Sequence, residues 1–114
     1  MKNGKKLTAE EFSSVDMRAG TVIGAEFFKE ARKPAIKLQI DFGEELGILK
    51  SSAQICDLYS PEDLIGNQIV AVINFPPKQI ANMMSECLVL GIPEQRGVTL
   101  LHPGRKVANG SKIM

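Results

Sequence analysis

Between Ile36 and Phe42 apolar and polar side chains alternate without a break, with Ile36, Leu38, Ile40 and Phe42 set against Lys37, Gln39 and Asp41. Successive side chains of an extended chain point to opposite faces, so a period of two describes a strand with one face in a core and the other in water. A helix would split the same apolar residues between two opposite sides. The dry face of such a strand has to be covered by further packed elements. After the turn Gly43-Glu44-Glu45, a second alternating stretch begins at Leu46 and Ile48 and runs through Lys50, Ser51 and Ser52 to Ala53. If it pairs back on the first, Lys50 or the serines stand beside Lys37 and Gln39 on the wet face.

Upstream, Val15 to Phe28 reads as a long strand. Met17 and Ala19 point one way, Asp16 and Arg18 the other, and the phase is lost around Gly20 and Gly24. Glycine inside a strand commonly marks a bulge or bend, and a long strand that bends is what a small barrel needs to close. The loop over residues 29–34 carries Lys29, Arg32 and Lys33 against Glu30. Downstream, Ser60-Pro61-Glu62-Asp63 predicts a short helix: serine as N-cap, proline at the first helical position, acids in the first turn, and Gly66 at the end. Ile69 to Ile73 is a short apolar, β-branched run that reads as a buried strand, stopped by Pro76 and Pro77. A polar, cationic loop over 76–86 follows, longer than a tight hairpin requires. It mixes Lys78, Gln79, Asn82 and Ser85 with Met83 and Met84. Cys87 to Leu90 reads as the next strand, 91–97 as a turn-rich connection, and Val98 to Leu101 as a further strand.

Three strands, a short helix and two strands, in that order, predict an all-β chain: a five-stranded OB-fold barrel with short helices. In that architecture ligands meet the outer face of strands two and three and the loops joining strands one to two and four to five. Here those loops are 29–34 and 76–86. The 114 residues are expected to form a single domain, with an N-terminal helical extension over 7–15 and a C-terminal extension over 98–114. Thr8 and Glu11 match a capping box and predict a helix from Ala9 to about Ser13, too short to stand alone. Leu100, Leu101, Val107 and Ile113 make the C-terminal extension apolar. Apolar matter on both extensions predicts a homodimer.

Several functions are disfavoured by what the chain contains. His102 is its only histidine, beside Pro103, and neither a Gly-rich phosphate loop nor G-x-S-x-G nor H-E-x-x-H occurs. No enzyme, cofactor or metal site is expected. Cys56 and Cys87 form no C-x-x-C pair and read as reduced thiols of a cytosolic protein. No stretch approaches the ~18 apolar residues of a membrane helix. The basic start with Lys2, Lys5 and Lys6 lacks the apolar core of a signal peptide. A cytoplasmic protein without membrane insertion is expected. The net charge is +1 with no tryptophan and one tyrosine, so any nucleic-acid binding has to use local charge.

The stretches DMRAGTV at 16–22, ARKPAIKLQIDFG at 31–43, KSSAQI at 50–55 and, above all, NFPPKQIANMMSECLVLG at 74–91 resemble the tRNA-binding domain family. The likeness runs from about Phe12 to the C-terminus. More closely, KPAIKLQIDFG and SSAQI resemble the export-related chaperone branch of that family. EARKP and SSAQI stand where many other members carry a histidine-proline motif and a serine-glycine-isoleucine.

The resemblance implies a cytoplasmic OB-fold homodimer that binds tRNA, with unfolded preproteins or peptides and the export machinery as further partners of this branch. The alternative is a dedicated structure-specific tRNA-binding protein without a chaperone role. By match to the family motif, the RNA-facing residues are Lys37, Ser51, Ser52, Asn74, Lys78 and Ser85, with Arg18. Asn74 also reads as a cap of the strand end, and Arg18 as a partner for a nearby acid. Met83 and Met84 read either as core or as an adaptable peptide-binding lining.

Overall fold

The computed structural model describes residues 4–114, so Lys2 of the basic start lies outside the described residues. In chain order the elements are α1 (Ala9–Ser13), β1 (Met17–Phe27), β2 (Ile36–Asp41), α2 (Gly43–Leu46), β3 (Ile48–Ala53), α3 (Pro61–Leu64), β4 (Gln68–Val72), β5 (Lys78–Ile80), β6 (Met83–Ser85), β7 (Leu88–Val89), β8 (Gly91–Glu94) and β9 (Gly97–Leu100).

The alternating stretch forms β2, with Ile36, Leu38 and Ile40 buried and Phe42 buried just past its end. It lies between β1 and β3 in an antiparallel five-stranded sheet of order β3-β2-β1-β4-β7. The bend expected in the long strand is present: the β1–β2 register shifts between Val22 and Gly24. One strand thereby serves two partners. Met17–Thr21 pairs with β4, and Thr21–Phe27 pairs with β2. Gly20 sits on the inner side of this bend, where a Cβ would come within 2.7 Å of Ile40 Cγ2 and 2.8 Å of the Phe42 ring. The close approach of strand and ring is what requires glycine there.

The sheet curls until β3 meets the segment leading into β7. The Glu86 amide donates to the Lys50 carbonyl at 2.7 Å, and the Lys50 amide donates to the Glu86 carboxylate at 2.8 Å. The Ser51 hydroxyl donates to the Cys87 carbonyl at 2.9 Å, and the Ser52 amide donates to Ser85 Oγ at 3.0 Å. Side chains thus replace part of a regular ladder, and the barrel is nearly closed, consistent with an OB-fold. Leu64 of α3 is fully buried against the core formed by the inward faces of β1, β2 and β4.

Three segments differ from the sequence expectation. The turn after Phe42 is a single helical turn, α2. The connection 91–97 supplies a strand, β8, that pairs with β9. The loop 76–86 contains a hairpin of β5 and β6, in register at Lys78 and Ser85, Gln79 and Met84, Ile80 and Met83. Its turn places Ala81 at φ 50, with the Gln79 side-chain amide donating to the Ala81 carbonyl at 2.8 Å. Ile80 and Met83 point inward onto a second small core with Phe28, Ala31 and Ala35. The two loops expected to meet ligand are therefore packed on each other.

The two extensions behave differently. Beyond β9 the tail runs along the edge of β1 that β2 leaves vacant past the bulge. The Gly110 amide donates to the Ala19 carbonyl at 2.7 Å, the Ala19 amide to Ser111 at 3.0 Å, and the Ile113 amide to Met17 at 2.9 Å. Gln68 grips the same tail, donating to the Val107 carbonyl at 2.7 Å and accepting from the Val107 amide at 3.0 Å. Leu100 is buried in the main core. At the other end, Thr8 and Glu11 form the expected capping box of α1, but no residue of that helix is buried. Among the described residues no helix is long and apolar enough to cross a membrane.

Candidate functional site

The outer face of β2 and β3 places Lys37 opposite Ser52 and Gln39 opposite Lys50. These residues point outward because their strand neighbours Leu38 and Ser51 point in. The Lys37 ammonium lies 5.2 Å from the centre of the Phe28 ring and 3.4 Å from the Glu26 carboxylate. The ring's negative face and the exposed acid steady the ammonium without removing it from water. Lys37, Gln39 and Lys50 line a shallow cleft of about 380 Å³ with Gly24, Glu26 and Met83.

The face continues across the seam. Ser52 donates its amide to Ser85 Oγ, and Ser85 lies in register with Lys78 on the hairpin. Lys37, Ser52, Ser85 and Lys78 thus occupy consecutive neighbouring positions. Beyond Lys78 an open cleft of about 590 Å³ is lined by Phe75, Pro76, Ile80, Leu88, Pro93 and Val98, among others. Phe75 is 53% exposed and Leu88 49%, so this cleft presents apolar surface directly beside the cationic stripe.

Four of the expected site residues, Lys37, Ser52, Lys78 and Ser85, are brought together. The others are not. Ser51 is 1% exposed, and its hydroxyl is committed to the Cys87 carbonyl; it closes the barrel and has no surface to present. Asn74 accepts from the Asp16 amide at 3.0 Å and donates to the Ser14 carbonyl at 2.8 Å, so its amide ties the exit of α1 to the end of β4. Arg18 donates to Asp16 at 2.6 Å and to the Gly110 carbonyl at 3.0 Å. That hydrogen bond from Arg18 holds the Asp16 carboxyl below its usual range. Arg18 joins β1 to the tail, as its acid-partner reading anticipated. Met83 is buried in the small core and supports the hairpin, whereas Met84 is 40% exposed.

Phe75 escaped the sequence reading. Its signal was an aromatic residue directly before two prolines, where no strand can bury it. Cys87 is buried, and burial pushes its thiol up to about 12, so it stays protonated and unreactive at neutral pH.

A family model described as a tRNA binding domain matches residues 17–112. The chain belongs to the tRNA-binding domain family. Among solved structures the chain is similar to the chaperone CsaA of Bacillus anthracis, 58% identical, with a TM-score of 0.89 over 96% of this chain and 100% of that one. CsaA of Picrophilus torridus is 48% identical, also with a TM-score of 0.89 and the same coverage. Methionine–tRNA ligase of Methanococcoides burtonii is 33% identical over 108 residues, 94% of this chain. The tRNA-binding domain here spans only 16% of that enzyme's length.

Proposed function

We propose that this protein is a non-enzymatic, cytoplasmic, export-related chaperone that binds tRNA on the stripe Lys37–Ser52–Ser85–Lys78, with Lys50 beside it. Unfolded preprotein segments bind in the apolar cleft of Phe75 and Leu88, with Met84 on the exposed face of the adjoining hairpin. The observation that carries this reading is the continuity of the stripe across the barrel seam, next to an open apolar cleft. Lysine meets phosphate as a point charge and suits a backbone whose sequence is not read. Export machinery would take over clients held this way.

Lys37→Ala with Lys78→Ala is expected to weaken tRNA binding and lower the salt slope of its affinity by roughly 1.5 units. Binding of an unfolded protein should persist, because it depends on apolar contact. Phe75→Ser with Met84→Ser should do the reverse, provided circular dichroism shows an intact barrel. An unchanged salt slope in the lysine variant would remove the RNA site from this face. Retention of tRNA binding with no affinity for any unfolded protein would favour a dedicated tRNA-binding protein.

The same reading includes a homodimer. Leu7, before α1, is 66% exposed and Phe12 of α1 is 40% exposed, and a five-residue helix does not persist in water without cover. Sedimentation at micromolar concentration should give twice the chain mass of 12.4 kDa. A particle of the single-chain mass would refute the dimer.

A further inference from the structure

We propose that the C-terminal tail builds a second RNA-backbone site, on a different part of the barrel from the lysine stripe, in the cleft lined by Thr21, Gly66, Asn67, His102, Arg105 and Lys106. The inference rests on the RNA-binding reading above and extends it to a separate surface.

Charge along the chain is unevenly divided. From Gln95 onward it carries Arg96, Arg105, Lys106 and Lys112 and no acid, whereas the preceding residues hold all 13 acids against ten lysines and arginines. The near-zero net charge thus conceals a cationic tail on a mildly anionic body. A polyanion is attracted to local potential, not to the sum over the molecule.

The tail is also held in place, so its cations project from fixed backbone. His102 Nδ1 lies 2.6 Å from the Gln68 carbonyl. A carbonyl only accepts, so Nδ1–H donates, and the ring is pinned at the cleft wall. The Gln68 side chain brackets Val107 on both its carbonyl and its amide. Asn109 Oδ1 accepts from Thr21 Oγ1 at 2.7 Å. Arg105 and Lys106 lie between the anchors at His102 and Val107, exposed. The cleft measures about 450 Å³, and none of its lining residues carries a carboxylate. Among the described residues neither Arg105 nor Lys106 makes an ion pair. By contrast, Lys37 of the stripe already has Glu26 at 3.4 Å. Unpaired cations with no acid beside them to repel an anion match phosphodiester oxygens. The Arg105 guanidinium can engage two of them at once.

The test measures tRNA affinity against salt for the full chain, for Arg105→Ala with Lys106→Ala, and for the charge-keeping Arg105→Lys with Lys106→Arg. Folding is checked by circular dichroism. The alanine pair should bind about tenfold more weakly at 0.1 M salt, with the slope lowered by roughly 1.5 units; the charge-keeping pair should retain most of the slope. Combined with Lys37→Ala and Lys78→Ala, the slope losses should add. Wild-type affinity and slope in the folded alanine pair, with the lysine pair impaired, would overturn this site and leave the RNA reading standing. No tRNA binding by the wild-type chain would overturn both. Millimolar pyrophosphate discriminates a small free phosphate ligand. If it raises the melting temperature of wild type but not of the alanine pair, while the tRNA slope is common to both, the cleft is a small-anion site and the inference fails.

Discussion

Phe42→Ala should destabilise the fold by about 4 kcal/mol, within the range for deleting a buried phenylalanine ring. Phe42 is 1% exposed, and its ring is the surface against which Gly20 admits the bend of β1. Loss of the ring removes its transfer free energy and leaves a void between β1 and β2 at the point of curvature. Filling that void would require β1 and β2 to shift against each other where the register changes. At roughly 4 °C per kcal/mol for a domain of this size, the melting temperature should fall by about 15 °C. Urea unfolding with an unchanged m-value would confirm a stability change alone. Phe42→Leu should recover more than half of the loss. A cost below about 1.5 kcal/mol for the alanine variant would mean that neighbouring side chains fill the site, contrary to the packing described.

The second large effect is expected at the tail. Gly110 has φ +90, and a Cβ there would collide with the Phe42 carbonyl oxygen. A non-glycine residue held at such a φ costs about 1 to 3 kcal/mol, and here the neighbour is backbone, which cannot swing away. Gly110→Ala should therefore release residues 107–114 from β1 more readily than it distorts the barrel. Amide exchange provides the readout. The amides of Ala19 and Ile113 should lose protection, while Leu38 and Ile40 in β2 keep theirs. Destabilisation should be about 3 kcal/mol and no greater than that caused by deleting the tail. Retained protection at both Ala19 and Ile113 would show that the docking does not depend on this glycine.

How much of this was legible follows from how local each cause is. The barrel strands were readable because alternation in β2 and the apolar run of β4 are written in adjacent residues. The bulge was readable because Gly20 and Gly24 break a phase that the rest of β1 keeps. The β5–β6 hairpin was not. Its inward pair, Ile80 and Met83, is separated by the turn, and its core partner Phe28 is distant in sequence. The site divides along the same line. Lys37 and Lys78 were legible as cations on an outer strand face and a polar loop. The burial of Ser51 is not legible, because a serine on a mixed strand looks alike whether it faces solvent or donates to a carbonyl 36 positions away. Arg18 and Asn74 are likewise committed to distant backbone groups, Gly110 and Ser14, that no local pattern announces.

The docking of the last residues onto the first strand has a consequence for biosynthesis. Ala19 hydrogen-bonds to Gly110 and Ser111, so nearly the whole chain must emerge before that edge of β1 is covered. At translation rates of about 5 to 20 residues per second, the interval is on the order of 5 to 20 seconds. During it, Met17 to Ala19 offers unpaired amides and carbonyls to any extended chain nearby. The nascent protein therefore passes through a stage in which it can capture a strand in trans. A stop codon or cleavage just before Val107 would make that stage permanent.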